Sequence, residues 1–199
     1  METAGDLLDL RLGEFLDAVA GEEPTPGGGT AAALAVATSA ALTAMVARAS
    51  VEWPDASAAV AQAERLRKRT APLAQEDAEA YEEALVTLHL PERVEPVVRD
   101  LAVGAALTRA AQVPMAIAEA GADAAALAAL VADRGIADRR GDAVAAAFLA
   151  EAGTRAAAAL VTVNLTVKEN DERMKRVELL VATASSAARE AVGTIGAAP

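Results

Sequence analysis

Residues 24–47 form a run of 24 positions without one charged side chain, and only Leu34, Val36, Leu42, Met45 and Val46 among them are large and apolar. The remainder is Ala, Gly, Ser, Thr and Pro. A bilayer needs roughly 20 apolar residues to be crossed, so the length suffices, but methyl groups and hydroxyls partition weakly into hydrocarbon. The reading that fits is a central helix surrounded by other helices, polar on no side because no side meets water. A chain built around such a helix must supply the surrounding helices.

Composition agrees. The 199 residues include 56 alanines, against two Phe, one Tyr and one Trp, so about half of the 54% hydrophobic content is methyl groups. Alanine is the best helix former and is depleted in strands, and a core of methyl groups requires helices to approach closely. The expected fold is all-α, a single multihelical bundle over residues 1–199, with the alanine-rich helix at its centre. One chain has too few large side chains to bury every small-residue face, which predicts association as a dimer.

Periodicity and breakers place the other helices. Leu8, Leu12, Phe15, Leu16 and Val19 predict an amphipathic helix over 6–20. The central helix is expected over 30–51 with Thr30 as its cap, and a long segment over 55–90 is divided or kinked at Pro72. Two helices near 92–111 and 113–134 follow, with Pro114 as a kink and Gly121 as a weak point. A polar loop spans 135–141, and helices are expected over 142–164 and 169–193. Leu160 to Val167 is the one β-branched run, ambiguous between helix and strand.

The absence of cysteine and the single histidine, His89, leave no Cys or His metal site and no thiol chemistry. A net charge of -11 opposes binding to nucleic acid, whose phosphates need clustered Lys and Arg. Acids rather than a basic n-region occupy Met1 to Asp9, so a cytoplasmic protein with no membrane contact is expected.

Three places can carry chemistry. On a helical wheel Leu73, Asp77, Ala80, Tyr81, Ala84 and Leu88 share a stripe, while Glu76, Glu79, Glu82 and Glu83 fall outside it. Asp77 is either a general acid or base tuned by desolvation, or a buried carboxylate bonded to a neighbouring helix. Asp142 gathers with Ala146, Leu149, Gly153, Ala156, Leu160 and Asn164, and is a cap, a dipole partner or a second functional acid. Asn164 lies about 33 Å from it along the axis, so one small ligand touches both only if a second subunit contributes or the helix bends. Gly27, Gly28 and Gly29, followed by Thr30, open a helix whose free N–H groups can receive a carboxylate, a phosphate or a polar ring edge, or simply form a tight turn. His89 reads as a solvated helix end, and Arg139 and Arg140 as exposed or as holders of an anionic tail.

The run Pro26-Gly27-Gly28-Gly29-Thr30-Ala31-Ala32-Ala33 resembles the proline, glycine-triplet, Ser/Thr, alanine motif of the formiminotransferase-cyclodeaminase family. Asp77-Ala78-Glu79-Ala80-Tyr81 followed by Leu90-Pro91, and Ala111-Gln112-Val113-Pro114-Met115, are similar to two further segments of it, in the same order, from about residue 8 to 190. The resemblance implies a helical homodimer, or a larger assembly, that binds a tetrahydrofolate derivative near subunit contacts, without a tightly bound cofactor. It implies closure or opening of a one-carbon unit between N5 and N10. It makes Asp77 and Asp142 the catalytic candidates, and Gly27, Gly28, Gly29, Thr30, Tyr81, Arg139, Arg140 and Asn164 the substrate-binding ones. The chain departs from the pattern at Gly135-Ile136, at Gly141-Asp142 and at Leu160, where the family usually carries Gly-Asn, Ser-Asp and Asn. These replacements motivate a second reading: a helical ligand-binding or partner-binding protein that kept the fold, or an enzyme acting on a non-folate amidine or imine.

Overall fold

The computed structural model describes residues 6–89, 95–165 and 171–196, and among these no strand occurs. A 3-10 turn at Leu7–Asp9 precedes eight α-helices: α1 Leu12–Val19, α2 Gly28–Ala49, α3 Ala56–Thr70, α4 Leu73–Leu88, α5 Pro96–Ala110, α6 Gln112–Arg134, α7 Arg140–Leu165 and α8 Glu172–Gly193. Helix α2 is the centre, as its composition requires. It packs on α3, α4, α6 and α7, while α8 lies against α6 and α7. The shared core is mostly alanine, with Val36, Val46, Ile117, Leu127 and Val131 among its larger members.

Small residues set how closely these helices approach. A Cβ added at Gly153 of α7 would stand 2.6 Å from Val36 Cγ2 and 3.0 Å from the Ala32 carbonyl oxygen, and one at Gly121 of α6 would strike the Thr154 hydroxyl. Gly121 is therefore a close-packing position in an unbroken helix rather than a weak point. Two buried hydroxyls bond back into their own helices, Thr43 to the Ser39 carbonyl and Thr154 to the Ala150 carbonyl. Three stretches, Gly28–Ala49, Pro96–Arg134 and Ala137–Leu165, are long and apolar enough to cross a membrane by length and composition. Between 50% and 67% of their most apolar windows is buried within the bundle.

Several boundaries differ from the sequence expectation. The helix expected over 6–20 is split, because Leu10 and Arg11 are extended. Of its apolar stripe only Phe15 is buried, with Leu12 73% and Leu16 56% exposed. Pro72 does divide α3 from α4. Pro114 does not kink α6: the break falls at Ala111, which places the proline in the first helical turn, where its missing N–H costs nothing. Helix α7 starts at Arg140, so the expected loop is shorter, and its run through Leu165 resolves the β-branched segment as helix to that point. The wheel drawn from Asp142 is rotated from the true one, since Ala156 is exposed while Ala143, Ala150, Ala157 and Val161 are buried. Leu90, Pro91, the positions after Leu165 in the β-branched run and the expected start of the last helix at 169 lie outside the described residues.

Candidate functional site

The site is centred where α2 meets α4. Helix α2 starts at Gly28 with Gly27 as its cap residue, not at Thr30 as the sequence indicated, and Gly27 has no side chain with which to cap. The need for an acceptor at this N-terminus is met from α4, where Asp77 accepts the Thr30 backbone N–H. The Thr30 hydroxyl, fully buried, donates to the Ala74 carbonyl oxygen at 3.0 Å and pins the same two helices together. Gly29 is glycine for a steric reason: a Cβ there would fall on the Asp77 carboxylate.

Beside this junction lies a cleft of about 310 Å³ lined by Gly27, Gly28, Gly29, Asp77, Tyr81 and Asn164, with Leu160, Val163, Ala110 and Pro114 as its apolar wall and Pro24 and Thr25 at its mouth. Asp77 is half-buried. Desolvation pushes its carboxyl above the ordinary aspartate value, and the Thr30 N–H opposes that shift without cancelling it. Tyr81, one turn on, is 39% exposed. The Asn164 amide donates one N–H to the Ala110 carbonyl oxygen at 3.2 Å, which leaves its oxygen and its second N–H as groups it can present. The Thr25 hydroxyl donates to exposed Glu82 at 2.7 Å. A half-buried carboxyl facing a cleft of this kind can exchange a proton with a bound ligand or balance its positive charge.

The structure brings together six of the residues singled out for binding or catalysis, namely Gly27, Gly28, Gly29, Asp77, Tyr81 and Asn164, while Thr30 underlies the cleft without lining it. It does not bring Asp142, Arg139 or Arg140 to them. Helix α2 carries the cleft at its start, and Ile136 donates its backbone N–H to Ser50 just beyond its end, which is about 33 Å away at 1.5 Å per residue. Asp142 is exposed in the first turn of α7 at that far end, and Arg140 Nε donates to the Ala132 carbonyl oxygen. His89 ends α4 and its ring bonds to the Leu85 carbonyl oxygen, away from the cleft lining. Glu76, Glu79, Glu82 and Glu83 lie outside the cleft lining, as the wheel indicated. Sequence reasoning did not find Val163, Ala110 or Pro24 as lining. The first two carry no chemistry of their own, and Pro24 was noticed only as part of a turn.

Residues 11–182 match the model of the formiminotransferase-cyclodeaminase family. The chain belongs to this family. It is 33% identical over 185 residues to a methenyltetrahydrofolate cyclohydrolase of Methylorubrum extorquens, covering 86% of this chain and 89% of the relative. The crystal structure of formiminotetrahydrofolate cyclodeaminase from Thermotoga maritima matches with a TM-score of 0.82 at 26% identity, covering 94% of this chain and 96% of that one. This family member thus shares both its sequence and its helical architecture with enzymes named for folate chemistry.

Proposed function

We propose that the chain is a folate one-carbon enzyme of the cyclodeaminase or cyclohydrolase type, one domain over residues 1–199, cytoplasmic and homodimeric, with a tetrahydrofolate derivative as substrate and no tightly bound cofactor. The observation that carries the reading is the half-buried Asp77 carboxyl, held against the glycine turn and facing a cleft. In ring closure, N10 attacks the formimino carbon on N5, a base accepts the N10 proton, and the nitrogen that leaves as ammonia takes up a proton. In ring opening, water adds to the bridging carbon and gives up a proton, and one of that carbon's two C–N bonds then breaks, its nitrogen taking up a proton, to leave a formyl group on the other nitrogen. Either direction needs a group that takes up and gives back a proton, and a carboxyl raised by desolvation suits that work. Tyr81 offers its ring face to the pterin, and Asn164 a hydrogen bond.

Replacing Asp77 by Asn is expected to lower turnover of the methenyl or formimino substrate at least about a hundredfold; turnover near wild type removes Asp77 from the mechanism. Asp142, Arg139 and Arg140 enter only from a second copy that closes the cleft. If so, mixing inactive Asp77→Asn and Asp142→Asn chains restores activity, to about a quarter in a statistical dimer with two shared sites. An Asp142→Asn chain that is fully active, or a mixture that stays dead, excludes the shared site.

The second reading, a diverged binding protein or an enzyme on a non-folate amidine or imine, draws support from Leu160, which gives the cleft an apolar wall. Calorimetric titration with reduced folates beside a spectroscopic assay for the methenyl product separates the two. Binding without turnover favours the diverged protein, and turnover dismisses it.

A further inference from the structure

The segment that leads into the cleft is held to the bundle at few points. Among the described residues α1 shares no extended contact with another helix, and Phe15 is the one residue it buries. Its leucines already face water, and its first turn is capped from within, the Arg11 N–H donating to the Glu14 carboxylate at 3.1 Å. Among the described residues two hydrogen bonds to side chains of α4 fasten the segment. The Leu7 N–H donates to Gln75 Oε1 at 3.1 Å, and the Thr25 hydroxyl to Glu82 Oε1 at 2.7 Å. Gln75 and Glu82 stand two turns apart on one face of that helix, about 10 Å at 1.5 Å per residue. The chain that runs between these two fastenings returns with Pro24 and Thr25 at the mouth of the cleft.

We propose that residues 7–27 are a strap across the mouth of the cleft, with the Thr25–Glu82 hydrogen bond as its latch. Lifting the strap loses little burial, because Phe15 is the one side chain of α1 that such a motion can uncover. The turn that carries Pro24 and Thr25 has glycine at each end, Gly21 and Gly27, the residue type that absorbs a change of φ and ψ at least cost. The latch joins a hydroxyl to a carboxylate in an exposed position, so it is made and broken readily. One hydrogen bond of this strength shifts an opening equilibrium about three- to tenfold. Glu82 lies outside the cleft lining and so governs entry through the strap rather than by touching a ligand. The device works alike for any ligand the cleft takes.

The chain has no cysteine, so a single introduced thiol reports the opening. Leu160→Cys puts one on the cleft wall across from the glycine turn, and Ala156→Cys, one turn earlier at an exposed position of α7, is the control. The measurement is the rate of labelling of the full-length chain by N-ethylmaleimide, a small uncharged reagent. Thr25→Val is expected to raise the rate at Leu160→Cys at least about threefold and to leave that at Ala156→Cys unchanged, whereas Thr25→Ser keeps the wild-type rate. Glu82→Ala is expected to match Thr25→Val, and the two together to exceed neither, since each breaks the same bond. Hydrogen exchange of the cysteine-free chain gives a second reading that stands even if Leu160→Cys folds poorly: Thr25→Val speeds exchange over residues 12–27 but not in α4 or the middle of α2. No rise at Leu160→Cys, equal rises at both cysteines, additive effects of the two latch variants, or faster exchange throughout α2 and α4 each overturns the proposal. No folate enters the test, so this inference and the enzyme reading fail separately.

Discussion

The two ends of α2 face the same physical problem and solve it in opposite ways. At the C-terminal end one of the unpaired carbonyls and the incoming chain are satisfied by one neutral side chain: the Ser50 hydroxyl donates to the Val46 carbonyl oxygen at 2.8 Å and accepts the Ile136 N–H at 2.8 Å. Ser50 is only 3% exposed. At the N-terminal end the partner is a carboxylate from another helix, half-buried, next to an open cleft and displaced from its ordinary acidity. The first solution is an uncharged hydroxyl, itself buried, which is what stability alone favours. The second places an ionisable group where desolvation penalises its charge, and the proposed chemistry rests on that difference.

The contrast can be broken most forcefully at Gly29. An alanine there displaces the Asp77 carboxylate, so Gly29→Ala is expected to lower turnover about a hundredfold or more. It also removes the cap on Thr30, for about 1 kcal/mol of stability by denaturant titration. Unchanged turnover would mean that the position of Asp77 does not matter. At the other end, Ser50→Ala strands the Ile136 N–H and is expected to cost about 1 to 2 kcal/mol of folding stability, with kinetics unaltered. A kinetic defect there would erase the distinction between the two ends.

Gly28→Val tests the space between the turn and the ligand. A Cβ at Gly28 meets nothing nearer than Leu160 Cδ1 at 4.0 Å, and among the described residues positive φ occurs only at Gly196, so valine is tolerated by the backbone. Filling the cleft edge should weaken ligand affinity about tenfold while the melting temperature hardly moves. A large loss of stability with intact affinity would place the ligand elsewhere.

The smallest effect sharpens the comparison most. Because the folded state raises the Asp77 carboxyl above its unfolded value, the folded chain binds more protons than the unfolded one between those two values. Stability contributed by this group therefore falls as pH climbs through that window, which begins in the ordinary aspartate range, and is constant above it. An asparagine in place of Asp77 would lack the penalty and can still accept the Thr30 N–H. The Asp77→Asn chain is thus expected to gain on wild type as pH rises from about 4 towards neutrality, followed by thermal melts. A variant that is less stable throughout would make Asp77 a structural cap like Ser50.

How much of this was legible in the sequence follows from what each feature depends on. The central position of α2 was readable because an uncharged run of that length has no other place in a helical protein, and Pro72 announced the α3–α4 break by itself. The meeting of the glycine turn with Asp77 and Tyr81 was readable from the wheel together with the family motifs. The fate of the Leu8, Leu12, Leu16 and Val19 stripe was not. Amphipathicity shows that a face wants cover, but not that its own chain provides it, and here most of that face stays exposed. Nor could the wheel place Asp142, because which side of α7 turns inward is decided by where Gly153 lets α2 approach. The true cap of α2 was invisible for a related reason: it comes from the far side of α3, and capping rules read only neighbours.

That remote cap has a consequence for the order in which the protein assembles. Helix α2 can wind from its alanine-rich middle, but the amide of Thr30 has its acceptor only once α4 has docked, after the whole of α3 has been laid down between them. The cleft is therefore completed by a long-range encounter rather than by growth of either helix, and closing contacts of that kind form late. Hydrogen exchange at this one amide reads the event directly. Its protection measures how often α4 lifts from the glycine turn in the folded protein, and a ligand seated against Asp77 slows that opening from the outside.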